Sequence, residues 1–115
     1  MGKEQLIDNF NALNDNSNLA DIQQYIADMM KINKFDNSSL ELFCYLTEEI
    51  GELAKEIRKK ENNMQMDAAK EYNSCLENEI ADVFIYILAL CNFYNIDLLK
   101  AFKNKEKQNL ERTWE

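Results

Sequence analysis

The sequence has no proline, no histidine and only two glycines, one of them Gly2. Turn-dense β architectures place proline and glycine where the chain reverses, so a sandwich, small barrel or propeller is disfavoured. A nucleotide-binding parallel α/β fold is disfavoured too, because there is no glycine-rich phosphate loop. The lack of histidine removes every Ser-His or Cys-His pair and every imidazole base. Any catalysis must then rest on carboxylates, lysines, a metal or backbone groups. The three cysteines, Cys44, Cys75 and Cys91, form no CxxC pair and have no histidine with which to complete a zinc site. Cys44 and Cys91 lie in apolar surroundings and read as core thiols. The longest apolar run, Val83 to Cys91, falls far short of the roughly 20 residues a membrane span needs. No membrane association is expected. The odd number of thiols and the lack of a recognisable signal peptide lead us to expect a cytoplasmic protein.

What is present is charge and helical periodicity. Across 115 residues, 21 acidic side chains face 13 basic ones, for a net charge of -8. Such a surface repels a phosphate backbone and disfavours general nucleic-acid binding. A small phosphorylated ligand remains compatible if a divalent cation changes the local field. The length suits a single domain over residues 1–115, with a core over 19–112.

Residues 1–17 end in a polar, asparagine-rich stretch and read as a tail or loop, with a short helical turn around Leu6, Ile7 and Phe10. A first helix is predicted from Leu19 to Met30 or Lys31, capped by Asn18. Ser38 and Glu41 have capping-box spacing. They open a long helix to about Lys60, whose stripe is Leu42 or Phe43, Leu46, Ile50, Leu53 and Ile57. Gly51 lies inside it. A mid-helix glycine costs about 1 kcal/mol relative to alanine, which suggests close packing or a nearby ligand. A third helix is predicted from Ala68, capped by Asp67, to about Tyr94. A fourth runs from Leu98 to about Arg112, capped by Asp97. Short connections imply antiparallel neighbours. The run from Ile80 to Cys91 is apolar on several sides, more than one small chain can cover. The expected architecture is an all-α antiparallel bundle of about four helices, completed by oligomerisation.

The most informative residues are acids beside apolar stripes. Glu49 and Glu52 are three apart and flank Ile50 and Leu53, while Glu79 and Asp82 are three apart and lead into the most apolar run. Unpartnered carboxylates near a core cost several kcal/mol or must neutralise. A hard divalent cation, Mg²⁺, would supply the missing charge and leave positions for phosphate oxygens. Glu48, Glu56, Glu61, Glu71 and Glu77 read as solvated helix surface. Lys105, Asn109 and Arg112 recur at helical spacing, and with Lys55 or Lys59 they could hold phosphate oxygens.

The same residues resemble a known family. Leu46-Thr-Glu-Glu-Ile-Gly-Glu-Leu-Ala-Lys-Glu56 is similar to the EExxE motif of the MazG-type, all-alpha nucleotide pyrophosphohydrolases. Glu79-Ile-Ala-Asp82 resembles their ExxD motif, and Lys105, Asn109 and Arg112 resemble their C-terminal signature. The similarity spans about residues 40–112. It implies a helical bundle that is a dimer or a dimer of dimers. It also implies hydrolysis of nucleoside triphosphates, deoxynucleotides included, to monophosphate and pyrophosphate with Mg²⁺, for which Mn²⁺ is a substitute. By this resemblance Glu49, Glu52, Glu79 and Asp82 are the metal ligands, with Glu48 pointing off their face. Glu49 or Glu52 would accept the proton of the attacking water. Lys55, Lys105, Asn109 and Arg112 would contact phosphates or sugar, and Tyr86 would lie near the nucleotide. Either Phe35 would stand in for the base-stacking aromatics of some relatives or the base would be held loosely, and Trp114 would be terminal surface. Two other functions fit the same bundle, a non-enzymatic adaptor and a phosphoribosyl-ATP pyrophosphohydrolase.

Overall fold

The computed structural model describes residues 2–33, 38–61 and 75–112. They form five α-helices and, among the described residues, no strand: α1 (Lys3–Asn11), α2 (Leu19–Ile32), α3 (Ser39–Glu61), α4 (Leu76–Phe93) and α5 (Leu98–Glu111). The all-α expectation holds. The chain divides into two compact units, one formed by Met1–Asp36 with Leu88–Glu115 and the other by Asn37–Ile87.

In the first unit the predicted N-terminal tail is instead a nine-residue helix. Its helical spacing is short, but α2 gives it a surface to pack on. Leu6 and Ile26 are buried, and the rings of Phe10 and Tyr25 meet with centroids 5.9 Å apart. Asn9 Nδ2 donates to the buried Asp28 at 3.3 Å. The asparagine-rich loop that follows is tied by its own side chains. Asn14 N–H donates to Ser17 Oγ at 2.8 Å, and Asn16 N–H donates to Asn14 Oδ1 at 2.8 Å. Asn18 and Asp21 then form a full capping box at the start of α2.

Gln23 joins α2 to the turn between α4 and α5. Its Nε2 donates to the Ile96 carbonyl at 2.6 Å and to Asn92 Oδ1 at 3.2 Å, and its Oε1 accepts from Leu98 N–H at 3.3 Å. Asn92 Nδ2 donates back to the Gln23 carbonyl at 3.1 Å. Asn95 takes a φ of 56° in this turn, a left-handed conformation that asparagine tolerates better than most residues. Asp97 caps α5 by accepting from Lys100 N–H, as predicted.

The second unit pairs α3 with the first three turns of α4. Ser38 Oγ accepts from Glu41 N–H at 3.2 Å and starts α3. The packed face of α3 carries Leu42, Leu46 and Glu56, all buried, with Glu49 and Leu53 half-buried between them. That is a spacing of four and three, one face of a helix. The predicted stripe mixed this face with its neighbour. Phe43, Ile50 and Ile57 are 55%, 48% and 46% exposed. Each sits one residue, about 100° of rotation, from a residue of the packed face. Hydrophobicity alone would turn the isoleucines inward, yet the helix turns Glu49 and Glu56 inward.

Two sequence expectations fail for the same reason. Glu56 is buried rather than solvated, and accepts from Lys59 Nζ at 2.8 Å. Cys44 is exposed, because it belongs to the outward face with Leu40 and Phe43. Gly51 is exposed as well, and a Cβ placed there would meet no atom within 4 Å, so no close packing explains it within the described residues. Cys91 is buried, as expected, and Cys75 is exposed. On α4, Leu88, Ala89 and Cys91 are buried while Ile80, Phe84 and Ile87 remain 52%, 36% and 36% exposed. Helix α4 is described from Leu76. The predicted cap Asp67 and the start at Ala68 lie outside the described residues, as do Phe35 and Trp114.

Candidate metal centre

Three inward acids of the second unit converge. Helix α3 supplies Glu49 and α4 supplies Glu79 and Asp82, and one carboxylate oxygen of each lies within 4.8 Å of the others. The i,i+3 spacing of Glu79 and Asp82 sets both on one side of the first turns of α4. Glu79 is buried, whereas Glu49 and Asp82 are half-buried and open to solvent on one side.

Glu79 Oε2 is buried and has no hydrogen-bond partner among the described residues, a costly state for a polar oxygen. The Glu49 carboxyl is held above its ordinary range. Burial is the largest cause, followed by the Asp82 charge, a hydrogen bond with Glu79, and the charges of Glu79 and Glu52. Three carboxylates at this separation, one with an orphaned oxygen, are a donor set made only of hard oxygens. That is the chemistry of Mg²⁺ or Mn²⁺. The residues present therefore fit a divalent cation.

Glu52 lies one turn beyond Glu49 on α3. It is exposed and stands outside the 4.8 Å group, although its charge still acts on Glu49. Glu48 is exposed and off the converging face, as expected, and Lys55 is exposed. Lys59 is engaged with Glu56. Tyr86 is half-buried one turn after Asp82, and its phenol is pushed above the usual range by burial and by the charges of Glu49 and Asp82. Lys105, Asn109 and Arg112 belong to the other unit, on or capping α5. Lys105 and Arg112 are exposed and Asn109 is half-buried.

Sequence reasoning missed Tyr45. Its ring meets that of Tyr86, with centroids 5.9 Å apart and planes inclined by 38°. The available signal was its position four residues before Glu49, which places it on the face of the inward acid.

The chain has counterparts among known proteins. Residues 37–112 match the model of the MazG nucleotide pyrophosphohydrolase domain. The crystal structure of iMazG from Vibrio DAT 722 is similar over 81% of this chain and 98% of its own, with 30% identity and a TM-score of 0.58. The structure of the Bacillus subtilis protein YPJD, provisionally assigned as a pyrophosphatase, is similar over 87% of this chain and 100% of its own. Its identity is 26% and its TM-score 0.70. No functionally curated protein sequence matches the chain. With the two acidic motifs inside the matched region, and the carboxylates of Glu49, Glu79 and Asp82 brought together, the chain belongs to the MazG nucleotide pyrophosphohydrolase family.

Proposed function

We propose that this protein hydrolyses nucleoside triphosphates, deoxynucleotides included, to the monophosphate and pyrophosphate in a Mg²⁺-dependent reaction. The observation that carries this proposal is the convergence of Glu49, Glu79 and Asp82, with an oxygen of Glu79 left unpartnered among the described residues. Converging carboxylates with an unpartnered oxygen cost stability that a bound cation restores.

Glu49, Glu79 and Asp82 would hold Mg²⁺ or Mn²⁺, with Glu52 completing the set or serving beside it. Bound there, the cation would neutralise triphosphate oxygens and acidify the water that attacks phosphorus. Glu52 suits the role of proton acceptor for that water. It is open to solvent and outside the group of three, and a base must reach its proton within hydrogen-bond distance. Glu49 is the alternative acceptor, with one oxygen on the cation and the other free to take the proton. Lys55, exposed one turn past Glu52 along α3, would pair with a phosphate oxygen as a mobile point charge. Lys105, Asn109 and Arg112 would serve the leaving pyrophosphate and the sugar, stabilising charge as it develops there.

The outward apolar residues of the second unit, Leu40, Phe43, Ile50 and Ile57 on α3 with Ile80, Phe84 and Ile87 on α4, support a homo-oligomer, either a dimer or a dimer of dimers. Among the described residues no single helix is long and apolar enough to cross a membrane, and we place the enzyme in the cytoplasm.

The test is a panel of ribo- and deoxynucleoside triphosphates together with phosphoribosyl-ATP, each scored for pyrophosphate. Release of pyrophosphate from one or more triphosphates with Mg²⁺, abolished by EDTA, is expected. Release confined to phosphoribosyl-ATP would replace the substrate class. No release from any compound would leave a non-enzymatic adaptor.

A further inference from the structure

The metal centre has two chemically different ends. Along α3, Tyr45 precedes Glu49 by one turn, while Glu52 and Lys55 follow it. Along α4, Tyr86 follows Asp82 by one turn. The two rings meet at 5.9 Å, so the helices bring both tyrosines to the same end, about 6 Å along the axes from the acids. Toward the opposite end α3 presents Glu52 and Lys55 to solvent, beside the half-buried Leu53.

Tyr45 is 38% exposed, whereas Leu42 and Leu46 on either side of it supply the packed face. Its ring is therefore held against Tyr86 without being part of the core. Tyr86 is half-buried one turn after Asp82, so the pair stands at the edge of the acidic cluster and not inside the core. A partly exposed pair of aromatic rings beside a cation site suits a flat group attached to phosphates.

We propose that Tyr45 is a substrate-binding residue that, with Tyr86, forms an aromatic wall receiving the nucleoside, so that the phosphates run from Glu49 toward Glu52 and Lys55. This inference rests on the nucleotide-hydrolase function proposed above. It assigns an orientation to the substrate and a role to a residue outside both acidic motifs. Because stacking on an aromatic face tolerates any base, Tyr45 contributes affinity for nucleosides in general rather than choice among bases.

The experiment is titration calorimetry on the Mg²⁺-loaded full chain, comparing α,β-methylene nucleoside triphosphates with inorganic tripolyphosphate, which has no nucleoside. Tyr45→Ala is expected to weaken the methylene nucleotides about tenfold, toward the low end of aromatic–base stacking, and to leave tripolyphosphate unchanged. Tyr45→Phe is expected to keep most of the affinity. In turnover, Tyr45→Ala is expected to raise KM with kcat within about threefold of wild type. A Mg²⁺-dependent rise in melting temperature equal to that of wild type would establish that the variant is folded with its metal centre intact. Equal affinity of Tyr45→Ala and wild type for the methylene nucleotides would overturn the proposal. So would an equal loss for tripolyphosphate, which would mark a structural role, and so would a wild type that binds no methylene nucleotide. A wild type that binds these analogues but releases no pyrophosphate would defeat the hydrolase function alone, and the affinity ratio would still decide the role of Tyr45.

Discussion

Replacing Asp82 by asparagine is expected to have opposite effects with and without Mg²⁺. The facing oxygens of Glu49, Glu79 and Asp82 lie within 4.8 Å of one another. Two unit charges at that separation repel by about 1 kcal/mol in bulk water and about 3.5 kcal/mol at an effective dielectric constant of about 20. Asp82 takes part in two such pairs, and the raised proton affinity of Glu49 relieves part of the repulsion. Asparagine keeps the shape and removes the charge, so the metal-free variant should gain about 1–3 kcal/mol. For a chain of this length each kcal/mol is worth roughly 4 °C in melting temperature. With the cation present the order reverses. Ligand held at a hundredfold excess over its Kd stabilises the native state by about 2.7 kcal/mol, and the variant loses most of that gain. Thermal melts followed by far-ultraviolet circular dichroism, in EDTA and in increasing Mg²⁺, would give two curves that cross. A variant that melts below wild type in EDTA, or that keeps the full Mg²⁺ response, would refute the electrostatic reasoning.

Three further outcomes are expected. Glu49 binds its proton more tightly in the folded protein than at its ordinary value of 4.5. Its contribution to stability is therefore complete below that value and is lost as the pH rises through the raised one. In EDTA, urea denaturation should show wild type losing stability over that window relative to Glu49→Gln, and Mg²⁺ should cancel the loss. Gln23→Ala removes the partner of Asn92, Ile96 and Leu98 and should cost about 2 kcal/mol in urea denaturation, since each part-buried hydrogen bond contributes about 1 kcal/mol. A cost below about 0.5 kcal/mol would show that the link between α2 and the α4–α5 turn bears no load. Ile50→Lys places a charge on the outward face of α3, where Ile50 is 48% exposed. It should shift the protein toward monomer in analytical ultracentrifugation while sparing its helicity, and an unchanged sedimentation profile would remove that face from the interface.

Much of the helical layout was legible because it depends on local chemistry. Asn18, Ser38 and Asp97 each accept from a backbone N–H at a helix start, and such caps announce themselves in sequence. Helix α1 was legible only as a short turn around Leu6, Ile7 and Phe10, since its nine residues are ordered by Tyr25 and Asp28 on another helix. The inward face of α3 was read only in part. Positions 42 and 43, 49 and 50, and 56 and 57 each offer two candidates, and apolarity favours Ile50 and Ile57 over the pair that packs inward. The acidic motifs pointed to Glu49, Glu52, Glu79 and Asp82 because each pair has helical spacing and borders an apolar run, and three of the four converge. Tyr45 stayed hidden because its significance lies in its contact with Tyr86, forty-one residues away.

The measurement that tests the metal centre most directly is anomalous scattering from crystals of the full chain soaked in Mn²⁺, collected above and below the manganese absorption edge. A peak bounded by the carboxylates of Glu49, Glu79 and Asp82, at distances near 2.2 Å and absent from Glu79→Gln crystals, is the predicted result. Manganese found only elsewhere on the protein, with the three side chains turned apart, would contradict it.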